Sequence, residues 1–234
     1  MKVNKYLNSI VLLQEETENK KEQDLKTIDI TSEDLEAIIA QVEQDSAYNF
    51  SSVGEELEKH MYHNRVLYLN DEVSPETVDH MIMLIHKWNM EDDMFPDEER
   101  PTIKIYIDTA GGDLMKATSL VSAIYTSKTP IHGHVDGIAM SAGFWILVAT
   151  HYRTATPFAE GMYHTLRANS DISSLQEIKQ TANYYESLQN KINNHIVSRT
   201  SISKTSLDKK NEMNLDWFLD SKEMLELGVI HAVL

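Results

Sequence analysis

Cysteine is absent from this chain of 234 residues, so disulfides and thiolate zinc sites are excluded, and a reducing, cytoplasmic setting is the expectation. Long apolar runs are absent too. None reaches the ~18 residues of a membrane span, and no membrane association is expected. The first thirteen residues carry Lys2, Lys5 and a short apolar stretch broken by Asn8 and Ser9, which does not read as a signal peptide. Basic residues are in short supply. There are 21 Lys and Arg against 37 Asp and Glu, a net charge of −16. That balance argues against a nucleic-acid partner, which needs clustered Lys and Arg, and fits simple solubility. An apolar share of 41% with 25% charged residues suits one globular domain with an appendage.

Half of the excess charge sits early. Residues 1–64 hold fourteen acids and six bases, one glycine and no proline. Thr31-Ser32-Glu33-Asp34 has the form of a helix N-cap with acids in the first turn. Leu35, Ile38, Ile39 and Val42 then share one helical face, so one amphipathic helix is predicted over about 32–45, flanked by polar stretches. We therefore divide the chain into an acidic N-terminal extension, 1–64, and a domain over 65–234.

From Arg65 the texture is α/β. Arg65–Leu69 reads as a strand, Ser74-Pro75-Glu76 starts a helix, and Glu91–Pro101 is an acidic loop. Thr102–Asp108 is a strand ending at Gly111-Gly112, followed by a helix over about 114–127. Ile131–Val135 is a short strand, and Phe144–Val148 is apolar enough to be buried. A long helix is predicted over about 171–198, and a short helix from Ser221 stops at Gly228 before a closing strand.

Glycine is sparse, and its placement is informative. Six of the eight fall between Gly111 and Gly161, where the backbone must turn sharply or approach something closely. Within that stretch, Gly137-Ile138-Ala139-Met140-Ser141-Ala142-Gly143 surrounds one serine with small residues at the mouth of an apolar helix, where N–H groups are free to bind negative charge. A serine nucleophile needs a base, a group to orient that base, and N–H donors for the oxyanion. The N–H groups of Gly112 and Ala142 are candidate donors. Ten histidines compete for the role of base, and pattern alone does not choose among His80, His86, His132, His134 and His164. The His132-Gly133-His134 pair has no third ligand nearby, so no metal and no cofactor are expected.

Several motifs, in order, make the stretch from Arg65 to Leu234 resemble the ClpP family of self-compartmentalised serine peptidases. Arg65–Leu69 is similar to the family's opening strand, and Gly111-Gly112 to the glycine pair of its oxyanion loop. Gly137–Gly143 resembles its G-x-A-A-S-M-G serine motif, and Met162-Tyr163-His164 its M-I-H. Asp216-Trp217-Phe218-Leu219 resembles the element carrying the third triad member, and Glu226–Ile230 the family's ending. The resemblance implies a ClpP/crotonase-like α/β fold of repeated β-β-α units with a protruding long helix. It implies Ser141 as nucleophile, His164 as base, Asp216 as its partner (Asp208 and Asp220 being the alternatives), and Gly112 and Ala142 as the oxyanion hole. It also implies a homo-oligomeric ring or double ring of heptamers, unfolded protein substrates, and a separate AAA+ unfoldase, since the chain has no nucleotide motif.

The chain departs from the family pattern at Ala110, Ala142, Thr165–Asn169 and Leu215, and in its long acidic extension. The divergence around Ala142 and Thr165 keeps an inactive structural ring subunit of the same fold in view, and the shared fold and backbone oxyanion hole keep a crotonase-type acyl-CoA enzyme as a further alternative. The departures also suggest a specialised, phage-type relative whose extension gates entry or docks a partner.

Overall fold

In the computed structural model, residues 53–167 and 174–234 are described. Residues 1–52 of the extension, with its predicted helix over 32–45, lie outside them. The chain enters through α1 (Val53–His63) and then runs β1 (Val66–Leu69), α2 (Pro75–Glu91), β2 (Ile103–Thr109), α3 (Leu114–Thr126), β3 (Ile131–Met140) and α4 (Ala142–Ala149). It continues as β4 (Tyr152–Ala155), β5 (Glu160–Tyr163), α5 (Leu175–Arg199), α6 (Lys204–Met213), β6 (Trp217–Asp220), α7 (Ser221–Glu226) and β7 (Ala232–Val233). The acidic loop after α2 is pinned by two short 3-10 turns, Asp92–Met94 and Asp97–Glu99.

Seven strands among the described residues make one sheet in the order β1-β2-β3-β4-β7, with β5 joined to β3 and β6 to β5. Every pairing is parallel except β5 with β6. This is the α/β architecture expected of the ClpP fold. β3 divides its partners: His132–Val135 pair with β4, and Ile138–Met140 pair with β5. That fork makes β3 longer than its apolar pattern predicts and carries Met140 to the mouth of α4.

Alternation decides which face is covered. Ile103, Ile105, Ile107, Ile131 and Val135 are buried on one face. Lys104, Asp108, His132 and His134 alternate with them. Helices α2 and α3 fill the covered side with Val78, Ile85, Trp88, Leu120 and Ile124. α4 has all eight residues buried and so serves as a core element as well as a site element. Full burial of one large apolar side chain stabilises by ~1.5–3 kcal/mol, so Phe144, Ile146, Leu147 and Val148 hold this helix in place without any polar face.

The C-terminal end of α4 is tied by two guanidinium groups. Arg153 donates to the carbonyls of Val148, Thr150, Arg199, Gly228 and Val229. Arg199 donates to those of Val148, Ala149 and Thr150. Cations at a helix C-terminus satisfy its free carbonyls and oppose its dipole. Burial brings the Arg153 guanidinium down to about 10, helped by the neighbouring charge of Arg199.

α5 is buried through Leu188, Ile192, Asn193 and Ile196, whereas Leu175, Ile178 and Tyr184 of its first half are exposed. Its N-terminus carries a capping box from Ser174 and Glu177. Gly228 takes a φ of 67° after α7, as the glycine stop predicts. The closing strand falls at Ala232–Val233, two residues beyond Val229-Ile230, which are buried instead.

Candidate active site

Ser141 sits between β3 and α4 with φ 53° and ψ −118°, a conformation costing a non-glycine residue about 1–3 kcal/mol. The surroundings impose it. Its N–H donates to the Met162 carbonyl at 2.8 Å, and its carbonyl accepts from the Trp145 N–H at 3.3 Å. A sharp strand-to-helix turn of this kind lifts a serine hydroxyl clear of its own backbone.

His164 follows β5, whose Met162 pairs with Met140 in the parallel ladder. That register brings the imidazole to the serine. His164 Nε2 lies 2.7 Å from Ser141 Oγ, and His164 Nδ1 lies 2.5 Å from the Thr165 carbonyl oxygen. A carbonyl only accepts, so Nδ1 carries the proton and Nε2 offers its lone pair to the serine hydroxyl. This is the tautomer a general base requires.

Gly111 and Gly112 pass close beneath. Their φ values are 105° and 146°. A Cβ on Gly111 would stand 2.7 Å from Ser141 Cβ, so only glycine lets this loop lie against Ser141. Val73 fixes the loop by donating to the Gly111 carbonyl and accepting from the Asp113 N–H. The intervening Gly112 N–H and the first-turn N–H of Ala142 have no partner among the described residues. Both residues line a cavity of about 190 Å³ beside Ser141 and His164, whose walls include Leu114, Phe144, Trp145 and Ile192.

Asp216 is close by, but it is not bonded to His164 in this structure. Tyr163 pairs with Trp217 across β5 and β6, and the same register extended by one residue sets Asp216 opposite His164. Its carboxylate instead accepts from Arg167 at 2.5 Å. Of the alternatives, Asp220 is occupied in capping α7, where it accepts from the Glu223 N–H at 2.8 Å. Asp208 lies on α6. His132 and His134 both contact Thr154 Oγ1, and no metal-binding group of three or more His, Asp or Glu occurs among the described residues. No described helix is long and apolar enough to cross a membrane.

Three polar side chains behind the histidine, Gln189, Asn193 and Asn211, form a cluster that none of the sequence motifs marks. Tyr163 Oη lies 2.7 Å from Asn193 Oδ1 and 2.7 Å from Asn211 Oδ1, and accepts from Gln189 Nε2 at 3.1 Å. Gln189 Oε1 accepts from the Leu166 N–H at 2.7 Å. A weak signal does exist: Gln189 and Asn193 are polar residues at i, i+4 spacing beside the apolar positions Leu188, Ile192 and Ile196. Burial pushes the Tyr163 phenol up to about 12, so it keeps its proton throughout the neutral range.

A strained serine at a helix mouth, an imidazole in base form upon it and two N–H groups unpartnered among the described residues form a candidate serine hydrolase site on a mostly parallel α/β sheet. The sequence model of the Clp protease family matches residues 49–234, and the chain belongs to that family of serine peptidases. It is similar to the ATP-dependent Clp protease proteolytic subunit 2 of Treponema pallidum (strain Nichols), at 29% identity over 130 residues, 55% of this chain and 64% of that protein. It is also similar to the ATP-dependent Clp protease proteolytic subunits of Staurastrum punctulatum, at 26% over 175 residues (74% of this chain and 83% of that protein), and Marchantia polymorpha, at 25% over 175 residues (74% and 82%).

Proposed function

We propose that this chain is a serine endopeptidase that cleaves unfolded polypeptides inside an oligomeric ring. The observation that carries the reading is the 2.7 Å contact between Ser141 Oγ and His164 Nε2 in the base tautomer. In the proposed cycle, Ser141 Oγ attacks the peptide carbonyl carbon while His164 Nε2 takes the hydroxyl proton. The oxyanion that forms is held by the N–H groups of Gly112 and Ala142. Collapse breaks the C–N bond, and His164 returns the proton to the leaving amine. A water molecule, deprotonated by His164, then attacks the acyl ester and frees Ser141. The apolar walls of the cavity fit an apolar substrate side chain. Asp216 is the proposed third member of the triad, because the β5–β6 register places it opposite His164. The relatives are named as ATP-dependent proteolytic subunits, which supports an AAA+ unfoldase partner.

A structural ring subunit is the second reading, favoured by one contact: the Asp216 carboxylate is engaged by Arg167. Two measurements on the full-length protein test the proposal. Hydrolysis of a fluorogenic peptide and of an unfolded protein, both lost in Ser141→Ala, is the expected result, with rings seen by negative-stain microscopy. Rings without hydrolysis would favour the structural subunit, and a monodisperse monomer would contradict compartmentalised proteolysis.

A further inference from the structure

We propose that Asn211 and Gln189 are positioning residues for His164, acting through the residues that flank it. The proposal rests on the Ser141–His164 reading above. His164 takes its orientation from the Thr165 carbonyl, so whatever fixes residues 163–166 fixes the imidazole. Both amides reach this segment from helices, Gln189 from α5 and Asn211 from α6.

Donor counting assigns their roles. The Tyr163 phenol has one proton, yet it faces two amide groups at 2.7 Å, those of Asn193 and Asn211. Gln189 Nε2 donates both to Tyr163 Oη and, at 2.9 Å, to Asn193 Oδ1, so Asn193 presents its oxygen to this cluster. The phenol proton therefore goes to Asn193. The contact between Tyr163 Oη and Asn211 is then satisfied when Asn211 presents its NH2 group there, an exchange of the amide's nearly equivalent O and N atoms. The same NH2 reaches Thr165 Oγ1 at 3.1 Å, where the hydroxyl accepts equally well. Each polar contact in the cluster then has one donor and one acceptor. Asn211 bridges the residue before His164 to the residue after it, and Gln189 ties the next residue, Leu166, back to Tyr163. Tyr163 and Asn193 are buried at 3% and 2% exposure, so water does not substitute for a lost partner without cost.

Isosteric variants read this assignment. Asn211→Asp keeps shape but offers only acceptors to Tyr163 Oη and Thr165 Oγ1. Gln189→Glu keeps the acceptor for the Leu166 N–H and loses the donor to Tyr163. We expect Asn211→Asp and Asn211→Ala to lower kcat by about 10²-fold, the scale of a ~1 Å misplacement of a catalytic group. KM should stay within about twofold, since no substrate contact is removed. The rate of Ser141 labelling by a fluorophosphonate should fall in step with kcat. Gln189→Glu should fall between these variants and wild type. The proposal is overturned if Asn211→Asp retains wild-type kcat, or if kcat and thermal stability fall together with the labelling rate per folded molecule unchanged. Asn211→Asp reports even where Asn211→Ala does not fold. Retained hydrolysis in Ser141→Ala would instead overturn the underlying reading, whatever the Asn211 variants do.

Discussion

Asp216 is the residue at which two accounts of the imidazole part company. A neutral histidine can be oriented by a carboxylate or by a backbone carbonyl, and in this structure the carbonyl of Thr165 has that place while Arg167 holds the carboxylate. Both partners of the Arg167–Asp216 pair are partly exposed, at 62% and 33%, and an exposed ion pair is worth at most ~1 kcal/mol, so rotation of Asp216 toward His164 is energetically cheap. If Asp216 completes the triad during turnover, Asp216→Asn lowers kcat by about 10⁴-fold, and Arg167→Ala leaves kcat at or above wild type. If the carbonyl alone serves, Asp216→Asn changes steady-state kcat by less than about threefold, within what loss of an exposed ion pair accounts for. The proposed nucleophile was legible at this scale because a serine ringed by glycine and alanine at the mouth of an apolar helix stands where backbone donors converge. The proposed base was not legible from pattern alone, because ten histidines carry equal weight, and only the likeness of Met162-Tyr163-His164 to the family motif singled out His164. Nor was Arg167, whose partner lies 49 positions away and is set by strand register alone.

Elements were legible where one face or one whole segment is apolar. α4 read as a buried run, and β2 as a strict alternation, because burial is written directly into those sequences. α1 was not assigned, since it carries four exposed Glu and Lys residues, and its Tyr62 ring packs against Trp88. The length of β3 also escaped, because Ile138 to Met140 pair with β5 through backbone atoms that leave no side-chain pattern. The loop after α2 shows the same limit. Its sequence reads only as an acidic loop, yet Asp92 is fully buried in a fork from Arg65, at 2.5 and 2.7 Å, and accepts from Thr129 Oγ1 at 2.7 Å. This ties the start of β1 to the ends of α2 and α3. Removing one partner leaves a buried charge unmatched, so Asp92→Ala should destabilise by about 3–5 kcal/mol in urea unfolding. A loss below about 1 kcal/mol would place the fork among weak surface pairs.

For the domain as a whole, acid should be destabilising in two stages. His132, His151, His195 and His231 all have imidazoles held below the ordinary range, by burial first, and for the last three by the Arg153 or Arg199 charges as well. Unfolding returns them to about 6.5, so the unfolded chain binds more protons below that value and stability falls as pH drops through it. Asp92 behaves likewise at lower pH, because the Arg65 hydrogen bonds hold its carboxyl below the usual range. Its contribution is present above ~4 and is lost as pH falls further. Melting temperature against pH should therefore decline below about 6.5 and steepen below ~4, with the second step absent in Asp92→Asn. The family fold, the serine turn and the histidine converge on one claim, that Ser141 is an activated nucleophile. Its most direct test is mass-spectrometric mapping of fluorophosphonate labelling on the full-length protein. An activated Ser141 predicts a single adduct on that residue, absent in Ser141→Ala and slowed by at least about 10²-fold in His164→Ala. No adduct at Ser141 in a folded, assembled protein would contradict it.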